Sequence, residues 1–302
     1  MMTYGMPYMG SKSQIAEWVV GNLPNANNLY DLFGGGGAIT DCAAQSGKYK
    51  KIIYNDIDST IVNGFLKAVN GRFAEEKRWI SRDHFFKLKD SDPYVKTCFS
   101  FGNDGRTYSY GRKIEPYKEA LHYAVVYGDL TQLQKMTSLD FSTILHESSM
   151  GGRMSTVRRI LRDKCQEPSI TKTLQHITAL QCLQNLEHLQ RLQRLQNLKH
   201  LQRLQNCNIE VSNLDYRAIN ISPNSVIYCD IPYANTKKYT NGADFDYKEF
   251  FQWCKIQTVP VYVSSYQISY PRFELVGEIT KRELMSTVKI NKRIERLYRV
   301  QQ

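Results

Sequence analysis

Asn28–Gly37 reads NLYDLFGGGG, and Lys51–Asp56 reads KIIYND. The first is a short apolar run that ends in glycines. The second is another apolar run that ends in an acid, and Ala38–Gln45 between them has a helical composition. Strand, glycine turn, helix and strand make a βαβ unit, which implies a parallel sheet. Further along, Ser225–Cys229 (SVIYC) reads as a buried strand running into Asp230. Tyr247–Lys255 then reads as a helix and Pro260–Ser264 (PVYVS) as another strand. Both ends of the chain therefore predict α/β structure.

The middle of the chain has a different texture. Ser81–Asp129 is rich in Tyr, Phe, Gly and basic residues, including CFSFGNDGRTYSYGRK at Cys98–Lys113. From Gln175 to Asn206 the sequence is low in complexity, with Leu at 183, 186, 189, 192, 195, 198, 201 and 204. On an α-helix a spacing of three drifts by ~60° per step, so these leucines wind around the helix and define no coiled-coil seam. The spacing predicts a mostly helical insertion. His176, His188 and His200 recur within it at positions ~120° apart on a helix, which argues against a shared metal.

Charge divides the chain in the same way. The 302 residues carry a net charge of +11. Residues 1–76 contribute −1, residues 77–170 +5, residues 171–205 +4 and residues 206–302 +3. A polyanion-binding module between two halves of a near-neutral catalytic domain produces this distribution. The hydrophobic content of 42% and mean hydropathy of −0.47 fit a globular chain, and 12% aromatic residues argue against disorder. No apolar run approaches the ~20 residues of a membrane helix, and Met1–Gly10 has no secretory pattern. The seven cysteines are odd in number and none have C-x-x-C spacing, which predicts neither a disulfide framework nor a structural zinc site. The expected compartment is a reducing cytoplasm.

Two motifs carry chemistry. Asp31–Gly37 (DLFGGGG) places glycines after a strand, so the backbone can approach a nucleotide-like ligand at a helix N-terminus. No Gly-Lys-Ser/Thr follows, which excludes a P-loop. Asp56 lies 19 residues past Gly37 at the tip of the next strand, where an acid can take the ribose hydroxyls of a nucleoside. The second motif, Asp230-Ile231-Pro232-Tyr233, puts a carboxylate at the C-terminal tip of a parallel strand, in the ligand crevice of an open sheet. The Asp230 carboxylate and the Ile231 carbonyl can accept the two hydrogens of a planar amine and localise its lone pair. Tyr233 can stack on an extruded base.

Together these residues resemble the Dam-type DNA adenine-N6 methyltransferase family, especially its phage members. Tyr8-Met9-Gly10-Ser11-Lys12 looks like the family's N-terminal cofactor motif, with Tyr8 and Lys12 in its aromatic and lysine positions. Phe33-x-Gly35-x-Gly37 is similar to its F-x-G-x-G loop, Asn55-Asp56 to its N-D motif, and Asp230–Tyr233 to its catalytic D-P-P-Y. The resemblance implies a Rossmann-like, S-adenosylmethionine-dependent methyltransferase sheet with a mostly helical inserted DNA-recognition domain. It implies a catalytic domain over residues 1–74 and 207–302, a recognition domain over 75–174, and the Leu-Gln-rich insertion over 175–206. Tyr8, Lys12, Phe33, Gly35, Gly37, Asp56 and Asp230 would line the cofactor. Asp230, Ile231, Pro232 and Tyr233 would hold a flipped adenine of double-stranded DNA, with base readout from segments such as Asn103–Lys113. No metal or membrane is implied, and a monomer in the cytoplasm, or the host cytoplasm for a phage protein, is expected.

Two departures stand out. Ile231 replaces the first proline of D-P-P-Y, keeping the carbonyl but freeing the backbone of Asp230. The insertion also sits just before Asn208–Tyr216 (NIEVSNLDY), which leaves Asp215 a tentative site residue. The rival readings are a catalytically impaired DNA-binding homologue and a methyltransferase acting on RNA or protein glutamine.

Overall fold

The computed structural model describes residues 3–7, 10–165, 183, 185–232, 245–282 and 292–301. Two compact units are present: residues 1–72 with 198–302, and residues 73–197.

The first unit holds α1 (Ala16–Asn22), β1 (Asn28–Asp31), α2 (Ala38–Ser46), β2 (Lys51–Asn55) and α3 (Ser59–Val69). From the C-terminal part come β3 (Ile209–Ser212), β4 (Ser225–Asp230), the helix Tyr247–Lys255, β5 (Val261–Ser265), β6 (Phe273–Arg282) and β7 (Lys292–Val300). The strands form one sheet in the order β3-β2-β1-β4-β5-β7-β6, and with its helices it makes an α/β unit. β3, β2, β1, β4 and β5 run parallel, and β7 is antiparallel to both β5 and β6. Strand order reverses between β1 and β4, so the C-terminal tips of these two strands form the switch point at which open α/β sheets bind ligands.

The central strands are buried on both faces, which is why they read as continuous apolar runs. Along β4, Val226 and Tyr228 join the core built by Val19, Leu23 and Ile39 from α1 and α2. Ile227 and Cys229 face the opposite way, toward Phe250 and Cys254 of the helix Tyr247–Lys255.

The second unit is helical. Ser81 and Asp92 cap the helices Arg82–Leu88 and Pro93–Phe99 by accepting from backbone N–H groups. Leu121, Val125, Leu133, Phe141, Val157 and Leu161 form its core. Of the segment expected to read bases, Tyr108 and Tyr110 belong to this interior while Arg112 and Lys113 are exposed. A buried histidine pair lies nearby. His122 Nε2 donates to the Lys77 carbonyl at 2.8 Å, so its Nδ1 accepts from His188 Nε2 at 3.3 Å. This leaves His188 Nδ1 buried without a hydrogen-bond partner.

The Leu-Gln stretch is divided between the units, and its described leucines are buried core residues. In the second unit Leu189, Leu192 and Leu195 of the helix Glu187–Gln196 are all buried. The two steps between them drift by only about a third of the circumference, which is the width of an ordinary apolar face. In the first unit Leu198–Asn206 is a 3₁₀-helix. With about three residues per turn, positions i and i+3 eclipse, and Leu198, Leu201 and Leu204 line up on one buried side. Glutamines of the repeat serve carbonyls: Gln196 Nε2 donates to Glu76 and Gln205 Nε2 to Val69. His176 lies outside the described residues.

Candidate active site

Every described residue of the candidate site belongs to the first unit. The glycine turn follows β1, and its geometry explains its composition. A Cβ on Gly34 would lie 2.3 Å from the Tyr54 ring, and one on Gly37 would lie 2.3 Å from the Phe65 ring. Those two rings stack at 4.2 Å between centroids, so the turn lies directly on an aromatic platform. Gly37 also has φ of +73°, a conformation that favours glycine. Tyr54 Oη donates to the Gly35 carbonyl at 2.7 Å.

The N-D motif separates into two jobs. Asn55 is buried and ties strand ends together: its Nδ2 donates to the carbonyls of Leu32 and Leu214, and its Oδ1 accepts from Leu214 N. Asp56 instead turns to the glycines, its Oδ2 accepting from Gly35 N at 2.9 Å and its Oδ1 from Asp58 N at 2.9 Å. Ile57, the next residue, is an exposed apolar side chain that the sequence reading did not single out.

Lys12 and Asp230, far apart in sequence, meet. Lys12 Nζ donates to both Asp230 oxygens at 2.6 and 2.7 Å, and lies 3.6 Å from Glu295 Oε1 of β7. Lys12 is only 4% exposed. Burial pulls its pKa down, but the carboxylates of Asp230 and Glu295 outweigh that and hold the ammonium above the ordinary lysine value. Glu295 carries no local sequence signal beyond being an acid on the same strand face as the buried Leu297.

Asp31 at the tip of β1 is the second residue the motif reading passed over. Its Oδ2 accepts from Thr40 N at 3.2 Å and Thr40 Oγ1 at 2.7 Å, capping the first turn of α2 from a distance. Its Oδ1 is buried with no hydrogen-bond partner. Burial pushes the Asp31 carboxyl up to about 7; Thr40 opposes this, and the charges of Asp230 and Asp56 add to it.

The remaining expected residues fall out as follows. Phe33 packs among Tyr216, Phe245 and Phe250, with centroids 5.6 to 5.9 Å away. Ile231 is buried in the core beside the helix Tyr247–Lys255. The Pro232 carbonyl accepts from Tyr247 Oη at 2.9 Å. Asp215 caps a short 3₁₀ turn and pairs with Arg217. Tyr8 and Tyr233 lie outside the described residues. Among the described residues no group of three or more His, Cys, Asp or Glu side chains could hold a metal ion. No helix is long and apolar enough to cross a membrane.

The arrangement puts an orphaned acceptor, a glycine turn and a lysine-held carboxylate around one switch point. No curated protein matches the chain. Residues 8–136 match the family of D12 class N6 adenine-specific DNA methyltransferases. The matched span holds Lys12, the glycine turn and Asp56. The match spans under half of the chain, and it is this N-terminal part that is similar to the family.

Proposed function

We propose that the chain transfers the methyl group of S-adenosylmethionine to the N6 amine of an adenine flipped out of double-stranded DNA. The observation that carries this reading is the Lys12–Asp230 pair at the tip of β4, opposite the glycine turn at the tip of β1.

The residues present fit the cofactor. The buried Asp31 Oδ1, without a partner in the fold, is an acceptor for a cationic donor such as an amino group. Lys12, Phe33, Gly35, Gly37 and Asp56 line the cofactor side, and the resemblance adds Tyr8, which lies outside the described residues. Asp56 is placed for ribose hydroxyls, and the exposed face of Ile57 suits a flat purine. Bound there, the cofactor supplies an electrophilic methyl group on a sulfonium.

The chain's own residues prepare the nucleophile. The adenine amine is a poor nucleophile because its lone pair is delocalised into the ring. The Asp230 carboxylate and the Ile231 carbonyl each accept one N–H, which favours a pyramidal nitrogen with a localised pair. Lys12 orients the Asp230 carboxylate while leaving it lone pairs to accept with, since a carboxylate has about four acceptor sites. The proton that leaves the amine passes to the Asp230 side. Pro232 is tied through its carbonyl to Tyr247, and the resemblance assigns the next residue, Tyr233, to stack on the base. The exposed Arg112, Lys113, Arg158, Arg159 and Arg162 of the second unit supply phosphate contacts, which position the duplex without reading it.

The test is nucleoside mass spectrometry of unmethylated duplex DNA incubated with enzyme and methyl-labelled S-adenosylmethionine. N6-methyladenine is the expected product, and Asp230→Ala is expected to abolish it while leaving DNA binding within a few-fold, because phosphate contacts dominate affinity. Label in RNA or protein glutamine but not in DNA would overturn the reading, as would wild-type turnover by Asp230→Ala.

A further inference from the structure

The second half of the Leu-Gln stretch contributes no residue to the chemistry described above. Its side chains point elsewhere. Arg203, on the 3₁₀-helix Leu198–Asn206, reaches Asp41 of α2, with Nη2 at 2.9 Å and Nε at 3.2 Å from Oδ1. Asp41 is fully buried, and its other oxygen, Oδ2, accepts from Gly5 N at 3.1 Å. Two residues before Leu201's neighbour Gln202, His200 Nε2 donates to the Gly5 carbonyl at 3.3 Å. Both backbone groups of Gly5 are therefore held, one directly and one through Asp41, by the same short helix.

Gly5 lies against the glycine turn. Met6 N donates to the Gly36 carbonyl at 2.7 Å. A Cβ on Gly5 would come within 2.6 Å of Gly36 O and Ala38 N, and its φ is +68°. The strand of chain passing over the turn leads on to Lys12, which holds Asp230. We propose that Arg203 is a positioning residue for the cofactor side of the site. Through Asp41 it clamps Gly5 and Met6 onto the glycine turn and so fixes the segment that delivers Lys12. His200 provides a second, weaker tie. Arg203 does not touch the reacting atoms. The buried Asp41 carboxylate is what makes the clamp matter: it needs a cation as partner, and a carboxylate left without one in that setting reorients or draws in water, releasing Gly5 N.

This inference rests on the reading of the glycine turn as a cofactor site, and its test separates the two. Arg203→Ala, Arg203→Lys and His200→Ala are compared with the parent by hydrogen exchange at the Gly5 and Met6 amides, calorimetric S-adenosylmethionine binding, and steady-state methylation of duplex DNA. Arg203→Ala is expected to speed exchange at Gly5 and Met6 at least tenfold and to raise the cofactor Kd and KM about five- to twentyfold, with kcat within about twofold. Arg203→Lys should restore most of the affinity, and His200→Ala should show a smaller effect in the same direction. If Arg203→Ala does not fold, the graded pair Arg203→Lys and His200→Ala carries the comparison. Unchanged exchange and cofactor affinity in folded variants would overturn the clamp, as would a loss confined to kcat. A parent enzyme that binds no S-adenosylmethionine would refute the functional reading instead, while the exchange measurement would still decide whether Arg203 holds the N-terminal segment.

Discussion

Replacing Lys12 by methionine isolates the electrostatics at the centre of the site. Methionine keeps most of the apolar stem of a side chain that is 4% exposed, so the change removes charge more than volume. At an effective dielectric constant of about 20, a 2.6 Å contact with Asp230 is worth about 6 kcal/mol of gross attraction and a 3.6 Å contact with Glu295 about 5 kcal/mol. Most of that is cancelled by the several kcal/mol it costs to desolvate each ion. The asymmetry appears when the cation alone is removed, because Asp230 and the buried Glu295 are then left facing each other; losing one partner of a buried pair costs about 3–5 kcal/mol. Neutralising Glu295 should relieve part of this, so the double variant Lys12→Met, Glu295→Gln should recover at least about 1 kcal/mol relative to Lys12→Met alone. Urea unfolding at pH 7.5 of both singles, the double and the parent closes the cycle. The pH does not confuse it: the raised Lys12 pKa means its contribution is fully present below the ordinary lysine value and is lost only as pH climbs through the higher folded value. A cost below about 1 kcal/mol for Lys12→Met, or a double variant no more stable than that single, would refute the argument.

Asp56→Ala should weaken S-adenosylmethionine binding by about 1.5–3 kcal/mol, the cost of losing a hydrogen bond to a charged group; unchanged calorimetric affinity would mean that Asp56 and the glycine turn do not form one pocket. The buried His122–His188 pair makes an acid-sensitive element. Burial lowers His122 to about 4 and lowers His188 too, so below 6.5 the unfolded chain binds protons that the native pair does not. Stability should therefore fall from pH 6.5 toward 4 by up to about 1.4 kcal/mol per pH unit per histidine, and a profile no steeper than that of His122→Phe would contradict this. Ile231→Pro removes buried methyl groups and should cost about 1 kcal/mol of stability. It should also bias Asp230 toward the extended region, giving a methylation rate per folded molecule equal to or above the parent. A large rate loss in a variant that still folds and binds cofactor would show a site adapted around isoleucine.

What was legible in the sequence follows from how local each signal is. Val226–Cys229 must be apolar on both faces because helices cover both, so β4 announces itself as a run and its terminal acid as a strand-tip residue. Gly34 and Gly37 announce the turn because the Tyr54–Phe65 stack leaves no room for a Cβ. Glu295 could not be found in this way. β7 pairs with β5 with the whole of β6 between them in sequence, and its mixture of basic and apolar residues resembles any half-exposed strand. Asn55 and Asp56 looked like one motif, yet only the second turns its side chain to the glycines: Asn55 ends β2 and its amide ties neighbouring strand ends, while Asp56 lies just past the strand. The Leu-Gln repeat left its helix type open for a sharper reason. A period of three is a poor match to an α-helix and a perfect one to a 3₁₀-helix, and the residues themselves do not choose between them. The choice is made by what the segment packs on: Leu201 and Leu204 are buried, Arg203 is drawn to the carboxylate of Asp41, and the Gln202 side chain lies against Gly71 at the end of α3. Periodicity carries structural meaning only once the tertiary partner has set the turn, so a repeat that looks inert in one dimension can reach the Gly5 backbone in three.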